Sequence, residues 1–241
     1  MVPISLRMKR IADMASPLPV ADIGCDHGFV SIYLVLQRGV SKAIAMDINE
    51  GPLERAREHI QEYDLKDRID VRLSDGAKEL KEGEVKTAVI AGMGGRLTIR
   101  IIKDSFDKFS KMESMVLSPH SEVDQVRRYL FESGFVITDE DMVYDEGKYY
   151  TIIKCSYRKD TEDEKVSKYP YGENGLMFGP KLIEKKHPVL KEYLKYRLDK
   201  LNQIKENIIN KGYAKNGSSL DRVKEIESEI SQIEELITEW R

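Results

Sequence analysis

The sequence predicts an α/β fold: a mostly parallel sheet with helices on both faces, closed by an antiparallel hairpin and followed by two antiparallel helices. Three observations lead there. Short apolar runs alternate with helical patterns up to about residue 156, a late pair of strand patterns has no helix between them, and a heptad-like apolar spacing takes over after Pro188. Strand–helix alternation argues for right-handed βαβ crossovers, which place helices on both faces of a parallel sheet.

PVADIGC, KAIAMDI, IDVRLS, TAVIAG, SMVLSP and YYTIIKCS read as strands. Several are apolar at successive positions, as expected where both faces of a sheet are buried. Between them, FVSIYLVLQRG is a helix stopped at Gly39, and PLERAREHIQEYD is a helix with Pro52 near its first position. GRLTIRIIKD and EVDQVRRYLFESG also have helical spacing, the second ended by Gly134. FVITDEDMVYDEGKYYTII reads as two antiparallel strands turned through Asp145-Glu146-Gly147.

From Arg158 to Asn174 the chain is polar, with Pro170 and Gly172, and reads as a linker. The expected division is therefore residues 1–158 and residues 159–241. Leu190, Leu194, Leu201, Ile204 and Ile208 then form a stripe, interrupted by Arg197 with Leu198 beside it. Gly212 and Asn216-Gly217 are expected to turn the chain, with Ser218 or Ser219 capping the next helix. That helix carries Ile226, Ile230, Ile233, Ile237 and Trp240. Two such helices bury one seam, either against each other as a coiled-coil-like hairpin or flat on the preceding domain.

Composition bounds the function. The 241 residues suffice for one large α/β domain or one medium domain plus an appendage, and 34 % charged with 41 % apolar residues suits a soluble protein. No apolar run of about 18 residues is present, so no spanning helix and no membrane partner are expected. The N-terminal MVPISLRMKRIADMA lacks the apolar core of a secretory signal. Cys25 and Cys155 are isolated and read as reduced, packed thiols of a cytoplasmic protein. No Cys/His/acid cluster has ligand spacing, so no metal is expected. A net charge of −3 gives no global attraction to nucleic acid, so any such partner must meet a local basic patch.

The chemistry concentrates in three glycine turns. In DIGCDHG, Gly24 permits a backbone turn that a side chain would block, and Gly28 allows the helix to start close to the strand. Asp47 follows about 20 residues on, the spacing at which such folds bind ribose hydroxyls. A dinucleotide site would use G-x-G-x-x-G facing pyrophosphate, whereas Asp26 here points negative charge at that position. The turn therefore disfavours NAD and suits S-adenosylmethionine, whose amino group and sulfonium are both cationic. LSDGAKEL places Asp75 and Gly76 at the end of the third strand, as an adenine contact or an ordinary Asp-Gly turn. VIAGMGGRL clears space after the fourth strand, but without the Pro-Pro-aromatic box common in enzymes that methylate exocyclic amines.

VADIGCDHGFVSIYL, AMDINEGPLERA, VRLSDGAKEL, VIAGMGGRLTIRII, LSPHSEVDQVRRYL and DEGKYYTIIKC, in this order, resemble the bacterial tRNA (adenine-22-N1)-methyltransferases. The resemblance spans roughly residues 4 to 156. It implies a Rossmann-like class I methyltransferase sheet with a helical, coiled-coil-like extension, S-adenosylmethionine as methyl donor and tRNA as partner; a monomer is expected. It further implies donor binding by Asp22, Gly24, Asp26, His27, Asp47, Asp75 and Gly76, with Gly28, Ile48, Gly92 and Met93 completing that site. Gly94, Gly95, Arg96, Pro119 and His120 would border the target base. His120 is a departure, since relatives tend to have a polar amide after the proline of the fifth strand.

Adenine N1 carries a lone pair, so methyl transfer there needs positioning and electrostatics rather than prior deprotonation. Asp26 is the candidate catalytic group for stabilising the developing adeninium, with positioning of the donor as its rival role. Arg7, Arg10 and Arg127 are candidate phosphate contacts, as is the lysine-rich first C-terminal helix. Competing readings are a methyltransferase for another RNA or a small molecule, a donor-binding RNA-interaction module without turnover, and an NAD-linked oxidoreductase.

Overall fold

The computed structural model describes residues 2–158, 169–210 and 217–240. The chain opens with α1 (Leu6–Met14), whose cap residue Ser5 accepts the Met8 N–H at 3.3 Å. It continues through β1 (Val20–Ile23), α2 (Phe29–Gln37), β2 (Ala43–Asp47), α3 (Glu50–Glu62), β3 (Ile69–Leu73) and β4 (Thr87–Ala91). Next come α4 (Gly95–Asp104), α5 (Phe106–Phe109), β5 (Ser114–Ser118), α6 (Val123–Glu132), β6 (Phe135–Asp145) and β7 (Lys148–Tyr157). The strands form one seven-stranded sheet in the order β3-β2-β1-β4-β5-β7-β6. β1 to β5 pair in parallel, whereas β7 is antiparallel to both β5 and β6.

Every predicted strand run lies on one of these strands, and the late pair is indeed a hairpin. Its loop residues Glu146 and Gly147 have φ of +47° and +80°, the left-handed geometry that matches a two-residue turn to strand twist. Alternation separates two cores. Ala43 and Ala45 join Ile32 and Leu53 on one face; Ile44 and Met46 join Ile101, Ile102 and Leu130 on the other. Two differences are local. α1 lies outside the expected elements, although five of its nine residues are apolar and Ile11 and Ala12 are buried. α3 starts at Glu50, so Pro52 lies within the first turn, where its missing N–H has no intrahelical partner to lose.

A larger difference follows β7. Gly172 opens a helix, α7 (Gly172–Phe178), instead of closing a linker, and α8 (Pro180–Glu184) comes next. The chain divides into compact units Met1–Lys181 and Leu182–Arg241, later than the expected break after Arg158. Residues 159–168 of the expected linker lie outside the described residues. α7 is tied down by Arg127, which corrects the expectation that this arginine meets phosphate. Its side chain is 1 % exposed, pairs with Glu140 at 2.8 Å, and donates to the carbonyls of Leu176 and Met177 at 2.8 and 3.0 Å. Glu140 also accepts the Lys181 N–H at 3.0 Å. Its neighbour Arg128 points outward to Glu173.

In the second unit, α9 (Pro188–Asn210) and α10 (Gly217–Glu239) run antiparallel, with Arg197 paired to Glu229 and Lys205 to Glu227. Leu190, Leu194 and Leu201 are buried, as are Ile226, Ile233, Leu236 and Trp240. The stripe frays late, with Ile204 41 % exposed. The interrupting Arg197 is held by a two-point ion pair with Glu229, at 2.7 and 3.1 Å. Gly212, Asn216 and the side chains of Ser218 and Ser219, expected at the turn and cap, lie outside the described residues.

Candidate active site

β1 lies between β2 and β4, so the connections leaving its two neighbours diverge and open a crevice at the carboxyl ends of the strands. Gly24 leaves β1 at φ +79°, and the N–H groups of Gly24 and Cys25 both donate to the Met46 carbonyl, at 2.7 and 3.0 Å. A Cβ on Gly24 would come within 2.2 Å of Met93 Cε, so the turn after β1 touches the loop after β4. Gly28, at φ +73°, begins α2, and its bare Cα is required by Ala56 of α3 rather than by the strand expected there. Gly76 is likewise packed against Ile101.

The carboxylates around this turn have different environments. Asp22 is buried in β1 and accepts the Ser31 hydroxyl at 2.8 Å; burial nevertheless pushes its pKa up to about 6. Asp47 ends β2 and accepts the Asn49 N–H at 2.9 Å. Beside it, Ile48 is 57 % exposed, and Leu73, the register partner of Asp47, is 51 % exposed. Leu73 escaped the sequence reading, because only pairing of β2 with β3 sets it beside Asp47. Asp75 is paired with Lys78 at 2.5 Å and Arg100 at 3.5 Å, and the Lys78 hydrogen bond first of all lowers its pKa.

Asp26 is exposed, at φ +48°, with Arg55 of α3 at 3.3 Å and His27 at 3.6 Å. This corrects the picture of a turn that presents bare negative charge, since the Arg55 guanidinium offsets much of it. His27, Phe29 and His59 form a row of stacked and tilted rings, and His59 Nδ1 donates to the His27 carbonyl at 2.9 Å. Cys25 is buried, and burial raises its thiol pKa, so it remains a packed, protonated group.

On the other side, Gly92 is at φ +79° and Gly94 precedes α4. Gly95 is buried, and a Cβ there would meet the Ser121 and Glu122 carbonyls at 2.6 and 2.8 Å. Helix–loop packing, not an open floor for a base, explains that glycine. Arg96 pairs with Glu122 at 3.1 Å, and Pro119 is buried. The His120 N–H donates to the Met93 carbonyl at 2.8 Å. Its ring meets Tyr150 and the Arg7 guanidinium, and its pKa is lowered by burial and then by the charges of Arg7 and Lys148. Arg10 is engaged by Asp141 at 2.7 Å. Asp22, Gly24, Asp47, Ile48, Asp75, Gly92 and Met93 thus gather around the crevice, whereas Arg127 does not belong to it.

Two cavities lie away from these residues: one of about 530 Å³ beside Lys42, Arg57 and Lys66, and one of about 390 Å³ beside Arg128 and Tyr169. Neither includes a residue of the glycine turns. Among the described residues no group of three His, Cys, Asp or Glu side chains could hold a metal, and no helix is long and apolar enough to cross a membrane.

The residues fit S-adenosylmethionine: carboxylates for an amino group and ribose hydroxyls, and exposed Ile48 and Leu73 for a flat ring. Comparison with known proteins agrees. The chain is 29 % identical over 234 residues to the tRNA (adenine(22)-N(1))-methyltransferase of Bacillus subtilis, covering 95 % of this chain and 96 % of that one. The crystal structure of the B. subtilis M1A22 tRNA methyltransferase TrmK superposes with a TM-score of 0.81 at 27 % identity, over 98 % of this chain and 100 % of that one. A Streptococcus pneumoniae structure in complex with S-adenosyl-L-methionine gives 0.78 at 28 % identity, over 97 % and 99 % of the two chains. The family model for tRNA (adenine(22)-N(1))-methyltransferases matches residues 20–235, and the chain belongs to that family.

Proposed function

We propose that this chain performs its family's reaction, methyl transfer from S-adenosylmethionine to N1 of adenine 22 of tRNA, at the carboxyl ends of β1, β2 and β4. The observation that carries this reading is the contact of the Gly24 turn with Met93, which joins the donor side and the base side into one crevice. Bound there, the donor supplies a methyl group activated by a sulfonium. Asp22 and the bare backbone of Gly24 hold the amino acid end, Asp47 takes the ribose hydroxyls, and Ile48 with Leu73 covers the adenine ring. Asp75 accepts from the adenine amino group. Asp26, turned toward Arg55 and His27, positions the donor side of the crevice rather than meeting the base.

N1 lies on the pairing edge, so the target base must leave its pairing partner before it can be methylated. Residues 182–241 form a separate compact unit whose helix α9 exposes Lys191, Lys195 and Lys200. These lysines hold the tRNA backbone, giving affinity and register without sequence readout. A tRNA substrate also accords with a cytoplasmic location. The test is transfer of labelled methyl from the donor to single unmodified tRNAs, followed by nucleoside analysis. 1-Methyladenosine in tRNAs with adenine 22, and its loss when that base is changed, is the expected result. Label at another base, or none, overturns the reading.

A further inference from the structure

An extruded base needs a flat surface to stack on, and enzymes that act on bases commonly supply an aromatic ring for it. The sequence has no aromatic residue directly after AGMGG. The fold brings one from elsewhere. β7 runs antiparallel to β5 with Leu117 opposite Ile153, and continuing that register sets His120 opposite Tyr150. Their ring centroids are 5.6 Å apart. His120 is bonded through its N–H to Met93, and Met93 touches the Gly24 turn. Tyr150 therefore belongs to the same continuous rim as the donor-side turn.

Arg7 of α1 lies over the Tyr150 ring, 4.6 Å from its centroid, with Nη1 donating to His120 Nε2. It differs from the other arginines of the crevice. Arg10, Arg55, Arg96 and Arg100 each pair with a carboxylate, whereas no carboxylate lies within ion-pair distance of the Arg7 guanidinium among the described residues. The Arg7 guanidinium is held by the Tyr150 ring face and the His120 nitrogen without an ion pair, and a cation–ring contact is weak where solvent reaches it. The ring face can therefore be exchanged for another flat group, while the released guanidinium remains free to bind a phosphate.

We propose that Tyr150 is the stacking platform for the target adenine, and that Arg7 passes from the Tyr150 ring to a phosphate next to that nucleotide when the base enters. The inference rests on the methyl-transfer reading above and names the residues that hold its acceptor. His120 supports it: its ring lies beside Tyr150, and the nitrogen that Arg7 leaves is then open to a base on the platform.

The test compares Tyr150→Phe, which keeps the ring, with Tyr150→Leu, which keeps apolar bulk but removes it. The readouts are methyl transfer at saturating donor, donor affinity by calorimetry, and fluorescence of a tRNA carrying 2-aminopurine at position 22. Tyr150→Phe should stay within about threefold of the native chain. Tyr150→Leu should lose on the order of tenfold to a hundredfold in kcat/KM for tRNA, the range expected for one lost base–aromatic stack. Its donor affinity should be unchanged, and the bound 2-aminopurine should be brighter than with the native chain. Arg7→Ala should weaken tRNA binding and lower its salt dependence by about one phosphate contact. Full activity and quenching with Tyr150→Leu overturn the proposal, as does an equal loss of donor binding, which marks a structural role. A native chain that methylates no adenine-22 tRNA instead overturns the parent reading, and the platform's assigned base with it.

Discussion

Replacing Asp22 with asparagine separates the stability of this fold from its donor affinity. Asp22 is buried, and its carboxyl is raised from 3.8 to about 6, with burial as the main cause and the Ser31 hydrogen bonds acting against it. Between those values the folded chain keeps a proton that the unfolded chain has released. Stability therefore falls as pH rises through roughly 4 to 6 and stays lowered above that window. The shift of about two units corresponds to a full loss of ~3 kcal/mol. Asparagine carries no charge and escapes this loss, although its amide must also be satisfied, which adds an offset independent of pH. Relative to the native chain, the variant should thus gain roughly 2 kcal/mol between pH 4 and pH 7.5 in urea unfolding. Donor affinity should move the other way. Removing a charge-assisted partner of the donor's amino group weakens binding by about tenfold to a hundredfold in calorimetry. A stability difference that is flat across this pH range would refute the buried, proton-holding carboxyl. Unchanged donor affinity would remove Asp22 from the donor site.

Asp26→Ala should lower donor affinity and turnover together, by about tenfold, because Asp26 faces Arg55 and His27; a fall in single-turnover rate with donor affinity intact would restore the catalytic role. Arg127→Met leaves Glu140 charged and buried, so it should cost about 3–5 kcal/mol in urea unfolding, and Arg127→Met with Glu140→Leu should recover much of that loss. A cost under ~1 kcal/mol together with weaker tRNA binding would return Arg127 to the phosphate contacts. Changing Lys191, Lys195 and Lys200 to glutamine should weaken tRNA binding and reduce its salt slope by about one per lysine, leaving donor affinity untouched. An unchanged slope, measured by filter binding across salt concentrations, would place the RNA contact elsewhere.

How much of this was legible in the sequence depends on the range of the interaction involved. The strand runs, the hairpin at Glu146-Gly147 and the glycine turns at 24 and 92 follow from local sterics and the period of apolar residues, both written within a few neighbouring positions. The heptad spacing of α9 and α10 belongs to the same class, and so does the position of Asp47 at the end of β2.

What only the tertiary structure decided is which partner each polar or aromatic group meets. Arg127 and Arg128 are adjacent in sequence, yet one is buried because Glu140 and two carbonyls of α7 await it, and the other faces solvent. Arg55 of α3 pairs with Asp26, and α3 also meets the start of α2 where Ala56 packs against Gly28. Leu73 joins Asp47, and Tyr150 joins His120, through strand register, which no window of neighbouring residues contains. Charge pairing and cross-strand register are set by groups far apart along the chain, so the sequence by itself determined the frame of this site and its donor-side glycines, and the packed fold determined which side chains face each other across it.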